Sequence, residues 1–155
     1  MATLIHGDRI GRLGTIQFGC SALVLDPSGT KVLLTRRTDN GRWCLPGGRM
    51  DPGESAAETC VREVMEETGL AVQVVRLIGL YSDPNLVIEY ADGNRRQIVA
   101  AHFLTRVVGG ALQLSDETTA YGYFSREEMA ALDVMEHHLQ RIDDGLSADR
   151  GPFVR

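Results

Sequence analysis

The sequence predicts an α+β fold, on three observations. Runs rich in Val, Ile, Leu and aromatic residues, bounded by Gly, Pro, Asn and Asp, read as strands on both sides of one central segment. That segment, Ser55–Gly69, has helical periodicity with its own start and stop signals. A second helical pattern closes the chain after residue 125. With 155 residues and a 43% apolar fraction, the expectation is a single domain over 1–155, with 1–14 and 147–155 peripheral.

In chain order, a short strand is predicted near Thr3–His6, and Gly11 and Gly14 then suggest a loop. Thr15–Leu25 favours a strand, and Asp26-Pro27-Ser28-Gly29 is a turn signal. Lys31–Arg37 reads as the returning strand of a hairpin. Trp43–Leu45 adds a short strand that Pro46-Gly47-Gly48 ends. Pro52 and Gly53 break the chain before the central helix. Ser55 with Glu58 is a capping-box pair, and Gly69 is the left-handed stop. Ala57, Cys60, Val61, Val64 and Thr68 form its apolar stripe; Glu63, Glu66 and Glu67 fall on the other side.

Beyond the helix, Ala71–Tyr81 is a predicted strand broken by Ser82-Asp83-Pro84-Asn85. Leu86–Tyr90 and Gln97–Val107 are predicted to pair across a turn at 91–94, and 108–111 reads as another turn. Leu112–Thr119 reads as loop and Tyr121–Phe124 as a short strand. Ser125 and Glu128 form an S-x-x-E helix start. A final helix is expected over Val134–Asp144, burying Met135, His138, Leu139 and Ile142, and the tail from Ser147 reads as loose.

Composition excludes some classes. The formal charge of −5 argues against broad nucleic-acid binding, which leaves a basic footprint. No apolar run reaches the ~20 residues a membrane-spanning helix needs, and residues 1–14 lack a signal-peptide core. Cys20, Cys44 and Cys60 are odd in number without CxxC spacing and read as reduced thiols of a cytoplasmic protein.

Three glutamates on one helix face repel each other, and a hard divalent cation would offset that cost. An acidic face alone is more often merely solvated. The full spacing is more specific. Gly48, Glu54 and Arg62-Glu63-Val64-Met65-Glu66-Glu67-Thr68-Gly69-Leu70 fill every fixed position of G-x5-E-x7-R-E-U-x-E-E-x-G-U, where U is aliphatic. The segment resembles the box of the Nudix (MutT-like) hydrolases. The likeness extends loosely over about 18–130, through Leu33-Leu34, Trp43–Gly48 and Asp116-Glu117.

This resemblance implies an α/β/α sandwich around a mixed, curved sheet. It also implies Mg²⁺, with Mn²⁺ as a substitute, on Glu63, Glu66, Glu67 and the Gly47 carbonyl. Arg62 would orient the glutamates and Glu54 would support the loop or reach the substrate. The general base is Glu63 in some members and a late-loop glutamate in others; here Glu117 is favoured. For substrate contacts, Arg36 and Arg37 suit phosphate, but strand neighbours face opposite ways, so one of them at most enters the pocket. Tyr81 could stack on a base or sit in the core.

The implied reaction is cleavage of a pyrophosphate in a nucleoside diphosphate linked to another moiety, of ADP-ribose or nucleotide-sugar type. The marker associated with NADH cleavage, S-Q-P-W-P-F-P, is absent, and Pro84 lies fifteen residues past Gly69, one short of a proline common in ADP-ribose pyrophosphatases. A nucleoside triphosphate pyrophosphohydrolase is the alternative within the family. A nucleotide sensor without turnover is the alternative outside catalysis, disfavoured by the undamaged box. A homodimer is a family-level expectation.

Overall fold

The computed structural model describes residues 2–155. Its strands are β1 Thr3–His6, β2 Thr15–Val24, β3 Val32–Arg37, β4 Trp43–Cys44, β5 Gly47–Arg49, β6 Leu70–Tyr81, β7 Leu86–Glu89, β8 Arg95–Gly110, β9 Thr118–Phe124 and β10 Phe153–Val154. Its α-helices are α1 Ala56–Thr68 and α2 Glu136–Leu146.

One seven-stranded sheet runs in the order β1-β7-β8-β2-β5, with β6 also on β8 and β10 on β6. The sheet is mixed: β2 and β8 are parallel over ten rungs from Thr15/Arg96 to Val24/Thr105, while β5 pairs antiparallel with β2, and β6 and β7 antiparallel with β8. A smaller sheet has the order β4-β3-β9.

The period of two along the strands divides the core. Cys20, Ala22 and Val24 of β2 pack with Cys60 and Val64 of α1, whereas Leu23 joins Ile78 and Ile142 of α2 on the other face. On β3, Leu33 goes with α1, and Val32 and Leu34 with α2. These strands are therefore apolar on both faces because helices cover both sides, the expected α/β/α layering.

Helix α1 begins as its sequence predicts. Glu58 N donates to Ser55 Oγ at 3.2 Å and Ser55 N donates to Glu58 Oε2 at 2.7 Å, the reciprocal capping box. Gly69 ends it with φ 75°.

Several expectations are corrected. Strands β2 and β3 do not form a hairpin ladder; one bridge, Leu25–Val32, joins them before they part into different sheets. Both edges of β2 are already taken, by β8 and β5. Gly47 and Gly48, read as a strand end, form β5 instead. Ala57 is exposed, and Ala56 and Thr59 take the inward positions.

Residues 108–110 continue β8, because β6 supplies partners as far as Gly110. The capping pair Ser125–Glu128 forms, but over a single 3₁₀ turn, Glu128–Ala131. The tail is pinned. β10 runs parallel to β6, Arg155 N donates to the Leu80 carbonyl at 2.9 Å, and the Arg155 guanidinium forks onto Asp144. At the other end, β1 is an integral edge strand on β7.

Candidate active site

A cleft of about 940 Å³ runs across one face of the large sheet. Its lining passes from Leu4 on β1, through Ile88 on β7 and Ile98 and Ala100 on β8, to Gly19 and Ser21 on β2, and ends at Gly47–Arg49 and the glutamates of α1. Apolar strand side chains line the β1–β7–β8 stretch, with Asp92 at its turn, and most of the carboxylates gather at the other end.

The acidic end is built by the close approach of β5 to α1. A side chain at Gly47, where φ is 155°, would collide with the Cys20 carbonyl across the β2–β5 ladder. A Cβ on Gly48 would lie 2.5 Å from the Glu63 carboxyl. Two consecutive glycines therefore let the loop backbone lie directly against the acidic face. Gly47 N donates to Glu67 Oε2 at 3.1 Å. Glu67 is only 8% exposed, so the third glutamate does not face open solvent as a purely acidic ridge would require.

Arg62 is the hub of this end. It holds Glu54 through a fork, Nε–Oε1 at 2.5 Å and Nη2–Oε2 at 2.9 Å. Its Nη1 donates to Glu63 at 2.9 Å and Glu66 at 3.2 Å, and Nη2 to the Arg49 carbonyl at 3.0 Å. Glu54 also accepts from Asp51 N and Thr59 Oγ1, so it ties the loop 49–55 to the helix. The Arg62 hydrogen bonds, with that from Asp51 N, hold the Glu54 carboxyl down at about 2.

Burial and the neighbouring charges of Glu63 and Glu117 push the Glu67 carboxyl up to about 8, with the Gly47 N–H opposing them. Glu63 is also raised, by burial first, against the lowering effect of Arg62. A cluster of acceptor oxygens this short of positive charge suits a hard divalent cation. Glu63, Glu66, Glu67 and the Gly47 carbonyl supply only oxygen donors, the set such a cation prefers. Among the described residues, no three such side chains already converge on one point, and Glu63 and Glu66 share Arg62 Nη1.

The other expected residues divide. Glu117 is exposed and lines the cleft; its backbone carbonyl accepts from Thr38 N at 3.0 Å. Arg37 lines the cleft, forked onto Asp39 at 2.8 Å, while Arg36 turns away to the Gly41 carbonyl. Glu54 sits behind Arg62 and is absent from the cleft wall. Tyr81 is not brought to the cleft: its ring is buried, and its hydroxyl donates to Asp144 at 2.8 Å. The three cysteines are free and buried, with thiols pushed up to between about 11 and about 12, chiefly by burial.

Sequence reasoning did not single out Ser21, Asp39, Arg42, His137 or Arg141 for the cleft, and placed His138 only on the buried side of the final helix. The signal was absent because α2 lies some ninety residues from the loop it covers; Leu45 N donates to His138 Nδ1 across that gap at 3.1 Å.

Comparison with known proteins gives the family and the fold. The family model described as NUDIX domain matches residues 16–144. A MutT-like protein of Streptomyces ambofaciens is 35% identical over 81% of this chain and 73% of its own. A Bacillus subtilis protein, whose name assigns 8-oxo-dGTP diphosphatase activity only provisionally, is 48% identical over 43% of this chain and 44% of its own. An ADP-ribose pyrophosphatase from Streptococcus suis superposes with a TM-score of 0.65 and 25% identity, over 90% of this chain and 97% of that one. No helix among the described residues is long and apolar enough to cross a membrane.

Proposed function

The chain belongs to the Nudix family, hydrolases of phosphorus anhydrides, and from that premise we propose that it cleaves the diphosphate of a nucleoside diphosphate linked to a second moiety, of ADP-ribose or nucleotide-sugar type, with Mg²⁺. The observation that carries this reading is the cleft itself. It has the glutamate oxygens at one end and apolar residues of β1, β7 and β8 along the rest, and its volume of about 940 Å³ leaves room for a two-part substrate. The Streptococcus suis neighbour, whose name gives ADP-ribose pyrophosphatase activity, supports the substrate class over nearly the whole chain.

Glu63, Glu66, Glu67 and the Gly47 carbonyl would hold the ion. When bound, it offsets phosphate charge and makes a bound water more acidic. The chain's residues do the rest. Arg62 keeps Glu63 and Glu66 in place, and Glu54 keeps Arg62 in place. Gly47 N orients Glu67. Arg37, at the rim, faces the phosphates. Glu117, beside Arg37 on the same rim, takes a proton from the attacking water. The side chains of β7 and β8 exclude solvent from the organic part.

The test is a screen with Mg²⁺ over ADP-ribose, nucleotide sugars, dinucleoside polyphosphates, coenzyme A and nucleoside triphosphates, with products resolved by chromatography. Release of a nucleoside monophosphate from ADP-ribose or a nucleotide sugar is expected. The Bacillus subtilis relative favours a second reading, nucleoside triphosphate pyrophosphohydrolysis, and preferential release of pyrophosphate would select it. Binding without any turnover would select a sensor.

The base role predicts a specific split. Glu117→Gln should lower kcat by about 10²–10⁴-fold, the usual contribution of a positioned general base, with KM little changed. A wild-type kcat with a raised KM would remove Glu117 from that role.

A further inference from the structure

Two arginines of the cleft wall have no carboxylate partner among the described residues, Arg96 and Arg141; Arg37, Arg42, Arg49 and Arg62 are all in ion pairs. Arg96 is at the strand end and bonds Thr15 Oγ1. Arg141 is different, because it is 7% exposed.

Its contacts are poor for a buried cation. Nη1 donates to Ser21 Oγ over 3.4 Å, the guanidinium carbon stands 5.4 Å from the Tyr81 ring centroid, and Nε has no hydrogen-bond partner. Along α2, Asp143 is taken by Arg126 and Asp144 by Arg155 and Tyr81. Around it, His102, His137 and His138 are all held neutral by burial, and Arg141 is pulled down to about 10. A buried charge left uncompensated is strongly destabilising. It is worth keeping where a ligand completes it.

Position says which ligand. Ser21, against which Arg141 rests, is the strand partner of Gly47, and neighbouring strands lie only about 4.8 Å apart. The unpaired guanidinium and the acidic end therefore flank one rung of the sheet. We propose that Arg141 is a substrate-binding residue that grips a phosphoryl oxygen of the nucleotide's diphosphate, beside the phosphate held at the glutamates. This rests on the reading of the cleft as the hydrolytic site. A guanidinium suits that partner by shape as well as charge.

Arg141→Met and Arg141→Lys test it. With Mg²⁺ and the hydrolysed substrate, Arg141→Met should raise KM by about 10–100-fold, the loss of a charged hydrogen bond, with kcat less affected. Arg141→Lys should recover part of that loss. The thermal midpoint of Arg141→Met should equal or exceed wild type, since an uncompensated cation is gone.

Calorimetric titration with ADP and with adenosine, both in EDTA, reads the site without turnover. Wild type should prefer ADP, and Arg141→Met should lose most of that preference, keeping only what Arg37 supplies. The idea is overturned if the ADP-to-adenosine preference is unchanged by Arg141→Met or absent from wild type. It is equally overturned if the variant melts several degrees lower with an unchanged KM, which is the behaviour of a packing residue. If the screen finds no hydrolysed nucleotide, the proposed function falls, and the titration still decides the anion site.

Discussion

Glu67→Gln should abolish most turnover and leave the fold intact. Partners one shell outside a metal ligand cost about 10–100-fold when removed, so losing a ligand should cost at least ~100-fold in kcat/KM. The amide keeps the shape and the acceptor oxygen that Gly47 N uses, and it removes the charge, not the packing. In EDTA the variant should melt at or above wild type.

The sign follows from the titration. In the folded chain the carboxyl is held up at about 8, against 4.5 for the free side chain. Between those values the native state binds the extra proton, so metal-free wild type loses stability as pH climbs from 4.5 towards 8. The amide does not titrate, and its advantage in EDTA should grow over that window. With Mg²⁺ the order reverses: wild type gains thermal stability from the ion and the variant gains little. Unchanged turnover, or an equal Mg²⁺-dependent rise in melting temperature, would sink the ligand role.

Arg62→Met is expected to damage both activity and stability. One guanidinium holds Glu54, Glu63, Glu66 and the Arg49 carbonyl, so its loss frees the loop from the helix and leaves three carboxylates facing one another. Hydrogen bonds to charged groups contribute about 1.5–3 kcal/mol each. The site is partly solvated, so the net loss should be nearer ~2–3 kcal/mol. For a chain of this size that lowers the melting temperature by roughly 4–12 °C. Activity should fall about 10–100-fold, as for other groups that orient metal ligands.

Arg62→Lys separates charge from geometry. An ammonium cannot reproduce the fork onto Glu54, so it should restore part of the stability and little of the activity. A lysine variant equal to wild type in both measurements would show that positioning by the guanidinium is not needed.

Much of this was legible in the chain because it is local. The capping box at Ser55 and the stop at Gly69 each lie within a few residues of the structure they create. The box spacing places Glu54, Arg62, Glu63, Glu66 and Glu67 within four turns of one another, and the structure joins Glu54, Glu63 and Glu66 through Arg62. The strand runs were found for the same reason, since alternation and turn residues are short-range signals.

Pairing was not legible. The turn at 26–29 suggested that β2 and β3 are partners, yet β2 runs between β5 and β8, the latter some eighty residues away, which leaves β3 to pair in the smaller sheet.

The sequence by itself determined the helix, its caps and the acidic pattern, whose causes lie within one or two turns of backbone. Only the tertiary structure decided that Glu67 is buried, that Arg37 and not Arg36 lines the cleft, that Tyr81 is withdrawn to Asp144, and that Arg141 arrives from α2 without a carboxylate partner among the described residues. Burial and solvation depend on what is packed across the sheet. Covering elements such as α2 and β10 come from the far end of the chain, where no spacing rule connects them to the residues they cover.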